Sequence, residues 1–219
     1  VAWARRTALA GDDPDAVLKE AGAIGTLAHY LCECDIKGEK ADMSDYSAEQ
    51  IEKAENAFLG YLEWKKMTKP KYEAIELKMV SEKHKVGGTA DFVARINGAL
   101  VLGDFKTSKG IYPEMICQLA AYRKMYLEHQ PKAKIESAMI LKLDKNSGAF
   151  SHHFVGKSQL DWGWKVFRAC MELVSRSCIK FFSVLLLGVF TVDTWVLFIH
   201  LLIVDESSIG NCVIIFFGT

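Results

Sequence analysis

The chain has 219 residues, half of them hydrophobic, with 27 Lys and Arg against 27 Asp and Glu. That length supports one domain with a real core, and the neutral balance excludes a coat-like nucleic-acid binder while leaving a local site for an anionic substrate open. The six cysteines form no CxxC pair and the chain exceeds a small disulfide scaffold, so a reduced, cytoplasmic setting is expected. The first residue is valine and no signal-peptide pattern follows, which leaves a fragment as one reading.

Residues 1–10 and 15–33 carry helix formers with apolar spacing, broken by Gly11-Asp12-Asp13-Pro14. A polar loop from Gly38 to Ser44 precedes a helix over 48–66, where Ile51, Ala54, Phe58, Leu59 and Leu62 keep helical spacing; Pro70 closes it. Residues 75–82 alternate as a strand, and His84 to Gly88 make a turn. A hairpin over 87–110 follows. Pro113 and Glu114 start a helix running to about Glu128. Strands are expected at 135–144 and 149–155, joined through Asn146-Ser147-Gly148, and a helix over 157–175 carries Leu160, Trp164, Phe167 and Met171 on one face. The order predicts an α/β domain with a central mixed sheet flanked by helices.

The hairpin stretch GGTADFVARINGALVLGDFKTSKG sets the chemical question. Asn97-Gly98 is a two-residue hairpin signal, because both central residues of a type I′ turn need positive φ. Such a turn pairs Ile96 with Ala99 and Arg95 with Leu100, and carried outward it sets Asp91 opposite Asp104; a bulge at the turn would shift this by one. Like charges facing each other roughly 4.5–5.5 Å apart are destabilising. Two facing carboxylates therefore call for a shared proton or a cation, and Mg²⁺ takes oxygen ligands while keeping several waters. Lys106 shares the face of Asp104, where an amine can orient or polarise an attacking water. Taken alone, these residues also fit a solvated hairpin with incidental charges.

Four motifs then fall in order: GTLAH (Gly25 to His29) in an early helix with Glu33 one turn on, GGTAD ending at Asp91, DFK from Asp104 to Lys106 followed by TSKG, and QLAAY with Gln118 and Tyr122 four apart on one helix face. Together they resemble the PD-(D/E)XK nuclease superfamily in its RecB-like branch, which includes phage exonucleases, over about residues 20–145. The resemblance implies a restriction-endonuclease-like core and a Mg²⁺- or Mn²⁺-dependent deoxyribonuclease of phage or microbial recombination, repair or processing. It makes Asp91, Asp104, His29 and the Phe105 carbonyl metal ligands, and Lys106 the group that orients or deprotonates the water. Gln118 and Tyr122 would lie beside the site and touch DNA or support the lysine. Thr107, Lys109, Arg123 and Lys124 would meet phosphates, or simply be solvated. Glu33 and Glu82 rank second, Glu82 only if its strand neighbours Asp91. Taken alone, His29 among Leu27, Tyr30 and Leu31 reads as a core histidine; its place in the series reverses that. His152 and His153 are adjacent on a strand and point oppositely, so they do not share one site.

Without the cysteine grouping of the iron–sulfur members, no cluster is expected, and with no Walker A motif, no ATPase motor. DNA is the implied partner, with a recombination helicase or annealing protein as a second. The alternative function is a catalytically inactive nucleic-acid-binding or recruiting domain with the same fold. The domain is expected over 1–177, followed by an apolar C-terminal tail over 178–219. Its run 181–204 is long enough to span a membrane but contains Asp193 and His200. A packed extension, a membrane segment and a tail foreign to the domain all fit it.

Overall fold

The structure is a computed structural model and describes residues 2–180 and 214–216. Helix α1 (Ala2–Leu9) leads into α2 (Pro14–Lys37), where the Asp13 carboxylate caps the first turn by accepting from the Asp15 amide at 3.0 Å. Helix α2 ends at Gly38, whose φ of 73° suits a residue without Cβ. It runs four residues past the expected end, because the polar turn Glu33 to Lys37 hides the apolar period while still forming a helix. Helix α3 (Ala48–Thr68) opens with a reciprocal cap: Ser47 accepts from the Gln50 amide at 3.2 Å and Gln50 accepts from the Ser47 amide at 3.0 Å.

Strand β1 (Lys71–Ser81) begins directly after Pro70, four residues before the expected start. Tyr72 anchors the extra length: its ring meets Phe92 edge-on and its hydroxyl lies 3.3 Å from that of Tyr61. Strands β2 (Val86–Ile96) and β3 (Ala99–Lys106) form the expected hairpin, with Ile96 against Ala99 and Arg95 against Leu100. Helix α4 (Pro113–His129) crosses over to β4 (Ser137–Leu143), which pairs parallel to β3; β5 (Phe150–Gly156) returns antiparallel as the far edge. The sheet is therefore mixed, in the order β1-β2-β3-β4-β5, with β3 at its centre.

Helices α2 and α3 cover one face over Phe92, Val101, Phe105 and Leu141; α4 and α5 (Lys157–Lys180) cover the other over Val93, Leu102, Ala138 and Ile140. Each fully buried large apolar side chain contributes about 1.5–3 kcal/mol. Phe92 sits between Trp64, Tyr72 and Phe105, with ring centroids 5.0–5.9 Å away. That position depends on Gly103 across the strand, where an added Cβ would lie 1.9 Å from the Phe92 ring.

Helix α5 runs to Lys180, so a boundary at 177 falls inside its last turn. Beyond it, β6 (Ile214–Phe216) pairs parallel with Val86–Gly88 of β2. The apolar run 181–204, with the three readings of it, lies outside the described residues. Among the described residues no helix is long and apolar enough to cross a membrane.

Candidate functional site

The paired ladder of β2 and β3 ends at Phe92 and Gly103. One step outward, where the register would set Asp91 against Asp104, the strands part. Asp104 pairs on its other side with Ile140 of β4. The Asp91 carboxylate reaches across and accepts from the Phe105 amide at 2.5 Å. A side chain thus takes a β3 amide just beyond the end of the ladder, and both carboxylates end up inside the molecule, Asp91 at 2% and Asp104 at 0% exposure.

Helix α2 brings His29 to this opening. Gly25 lets the helix approach β3, since a Cβ there would lie 3.2 Å from the Thr107 hydroxyl. One turn on, His29 Nδ1 lies 3.5 Å from Asp91 Oδ2, and its ring meets Phe105 edge-on at 5.7 Å. Burial works against charge on the imidazole, but the Asp91 carboxylate outweighs it and holds His29 above the usual histidine value. Burial likewise opposes ionisation of Asp91, yet His29, Lys106 and the Phe105 amide hold its carboxyl below the usual range.

Asp104 is placed differently. Lys106 Nζ lies 2.6 Å from Asp104 Oδ2 and pairs with it, while Asp104 Oδ1 is buried with no hydrogen-bond partner. Burial and the charge of Asp91 push its carboxyl up, against the pull of Lys106. The Lys106 ammonium is itself held above the usual lysine value, because Asp104 and Asp91 outweigh its burial. A buried acceptor without a donor costs about 1–3 kcal/mol, and a hard cation is a partner that such a carboxylate oxygen fits. Among the described residues no three His, Cys, Asp or Glu side chains enclose an ion as they stand. The reason is visible in the contacts: Asp91 is turned onto the Phe105 amide, and Lys106 stands against Asp104.

The remaining predicted residues divide. Gln118 donates to the Tyr122 hydroxyl at 2.8 Å, and Tyr122 is fully buried with its ring over Gly88, where a Cβ would come within 2.5 Å of it. The second glycine of GGTAD thus makes room for the tyrosine of QLAAY. Burial first, then Asp104 and Asp91, push the Tyr122 phenol well above its usual value. Thr107 is half-buried beside Gly25, and Lys109 is exposed. Glu33 is ion-paired with Lys37. Glu82 is exposed in the turn after β1. Its strand does neighbour β2, but Glu82 stands six residues, about 20 Å at strand rise, from the level of Asp91. Arg123 is tied to the fold, donating to the Ile135 carbonyl at 2.8 Å and pairing with Asp161 at 3.4 Å.

Glu76 is the residue that sequence reading missed. It lies between Ile75, paired with Phe92, and Leu77, paired with Ala90, and so stands level with Asp91. Its φ of 47° is left-handed, an uncommon conformation for a glutamate inside a strand. Burial first, then Asp91 and Glu33, raise its carboxyl to about 7. The alternation of 75–82 marks it as an ordinary strand residue, and only the nonlocal pairing of β1 with β2 brings it here. The titratable groups gathered at this level are Asp91, Asp104, His29 and Glu76.

No protein-family model matches the chain, and a search of curated proteins gave no match.

Proposed function

We propose that the chain is a Mg²⁺- or Mn²⁺-dependent nuclease of the PD-(D/E)XK type, RecB-like, acting on DNA in a microbial or phage recombination setting within the cytoplasm. A recombination helicase or annealing protein is the partner class that goes with that reading. The observation that carries it is Asp104: fully buried beside Asp91, with Oδ2 on Lys106 and Oδ1 without a donor. Asp91 and Asp104 would hold the cation, with the Phe105 carbonyl and His29 beside them. A bound divalent cation lowers the pKa of water and offsets charge on a phosphoryl oxygen.

The chain's own residues supply the rest. Lys106, confined to 11% side-chain exposure and paired with Asp104, would orient or deprotonate the attacking water and offset negative charge on the phosphate. His29 holds Asp91 ionised, and Asp91 in turn fixes the Phe105 backbone. Tyr122 and Gln118 wall the site on the α4 side.

The test is digestion of end-labelled linear and circular DNA with Mg²⁺, Mn²⁺ or EDTA. Cleavage with either metal, abolished by EDTA and by Asp104→Ala, is expected. Metal-independent cleavage, or Asp104→Ala at wild-type rate, overturns the assignment.

A further inference from the structure

Edge strand β5 presents a row of rings to solvent. Phe150, His152 and Phe154 share one side, with successive ring centroids 6.3 and 5.6 Å apart. Phe150 is partly buried against the core under α2 and α3, while His152 is exposed and Phe154 is 45% exposed. Register ties the row to the candidate site. Phe105 pairs with Leu141 and Leu141 with His152, so His152 stands level with Phe105. Two strand spacings separate their backbones by about 10 Å.

Three ammonium groups gather at the end of the row nearest the β4–β5 turn, with the carboxylates of Glu20, Glu49 and Asp144 among them. Lys145 in that turn is half-buried, and Lys53 of α3 and Lys109 after β3 lie near enough to repel it. Burial first, then those two ammonium groups, hold Lys145 below the usual lysine value, tempered by Glu20 and Asp144. Lys53 is paired with Glu49 at 2.6 Å. Among the described residues Lys109 and Lys145 have no ion-pair partner.

Rings in a row beside free cations suit one occupant. A duplex hides its base faces in its own stack, whereas an unpaired strand offers base faces to rings and phosphates to ammonium groups. We propose that the β5 edge holds an unpaired stretch of a nucleic-acid strand, with bases stacked on His152 and Phe154 and phosphates on Lys109 and Lys145. The strand then continues toward Lys106 and Asp104. That continuation rests on the nuclease reading; the binding does not.

The experiment measures binding of a fluorescent oligo-dT and of a duplex of equal length to the full chain in EDTA, by anisotropy. The single strand should bind more tightly. His152→Ala with Phe154→Ala should weaken it about 5-fold or more, roughly 5- to 150-fold being the range for losing one stacked base, while Phe154→Trp should retain it. Lys109→Glu with Lys145→Glu should weaken it and flatten its salt dependence. The proposal is overturned if the wild type prefers the duplex, binds neither probe, or binds the single strand unchanged after the ring substitutions. Metal-dependent cleavage is scored separately. A wild type that binds oligo-dT but cleaves no DNA with Mg²⁺ or Mn²⁺ counts against the nuclease reading alone. Cleavage retained with ring variants binding normally counts against the β5 surface alone.

Discussion

The two ends of the β2–β3 hairpin follow different rules. At the turn end, Asn97 and Gly98 both take positive φ, the ladder is complete from Ile96 to Phe92, and the nearest charge, Arg95, is half-exposed and paired with Glu73 at 2.6 Å. At the open end the ladder stops, a carboxylate takes a backbone amide, and Asp104 is buried with one oxygen on Lys106 and the other without a donor. The contrast teaches that where the ladder completes itself, charge stays on the surface and costs little. Where the ladder breaks, side chains replace backbone partners, and groups that a sheet normally excludes can be held inside.

Substitutions at the two ends should therefore differ in kind as well as size. The largest effect is chemical: Asp104→Ala should reduce cleavage by about 10³-fold or more, several kcal/mol of lost charge stabilisation at roughly 1.36 kcal/mol per decade. DNA affinity in EDTA should stay near wild type, since phosphate contacts come from other groups. Equal loss of binding and cleavage would mean that Asp104 serves the fold and not the reaction.

Next comes packing at the point where the ladder ends. Gly103→Ala drives a methyl into the Phe92 ring and should cost about 1–3 kcal/mol in urea unfolding. Gly98→Ala at the turn end meets no atom within 4 Å, and its cost comes only from its φ of 84°, about 1 kcal/mol. A Gly98→Ala variant less stable than Gly103→Ala would reverse the comparison.

A smaller effect depends on pH. Glu76 has a folded-state carboxyl raised to about 7, so the native state binds more protons than the unfolded state between the ordinary glutamate value and 7. Stability from this group is present at low pH and is lost as pH rises through 7. Glu76→Gln should therefore stabilise the protein at pH 8 by at most about 1 kcal/mol after solvent screening of a half-buried group, and leave it unchanged at pH 4. Melting curves at the two values check the sign; equal shifts at both would remove Glu76 from the cluster. Smallest is Arg95→Ala, an exposed pair at the turn end, worth about 0.5 kcal/mol and diminished by salt.

Elements with local causes were legible in the sequence. The Asn97-Gly98 turn, the Ser47–Gln50 cap and Pro113 at the start of α4 each act within a few residues, and the hairpin register follows from the first of them. What was hidden depends on chain segments meeting. Glu76 reaches Asp91 only because β1 pairs with β2, and Gly88 has its purpose only once α4 lays Tyr122 across it. Arg123 reads as a phosphate-binding side chain until the Ile135 carbonyl is found beside it. For the site, the motifs named the carboxylates, the lysine and the histidine. They did not convey that Asp91 would be spent on a backbone amide or that one Asp104 oxygen would lack a donor.

The bond from the Phe105 amide to the Asp91 carboxylate has a spectroscopic consequence. A single backbone N–H, its nitrogen 2.5 Å from an Asp91 carboxylate oxygen, reads the electronic state of the site from within. Its resonance should sit downfield of the other β3 amides, move upfield as acid protonates Asp91 and, on the metal-site proposal, move again when Mg²⁺ is added. One assigned nitrogen–proton peak would thus follow occupancy of the site in real time, without substrate and without turnover.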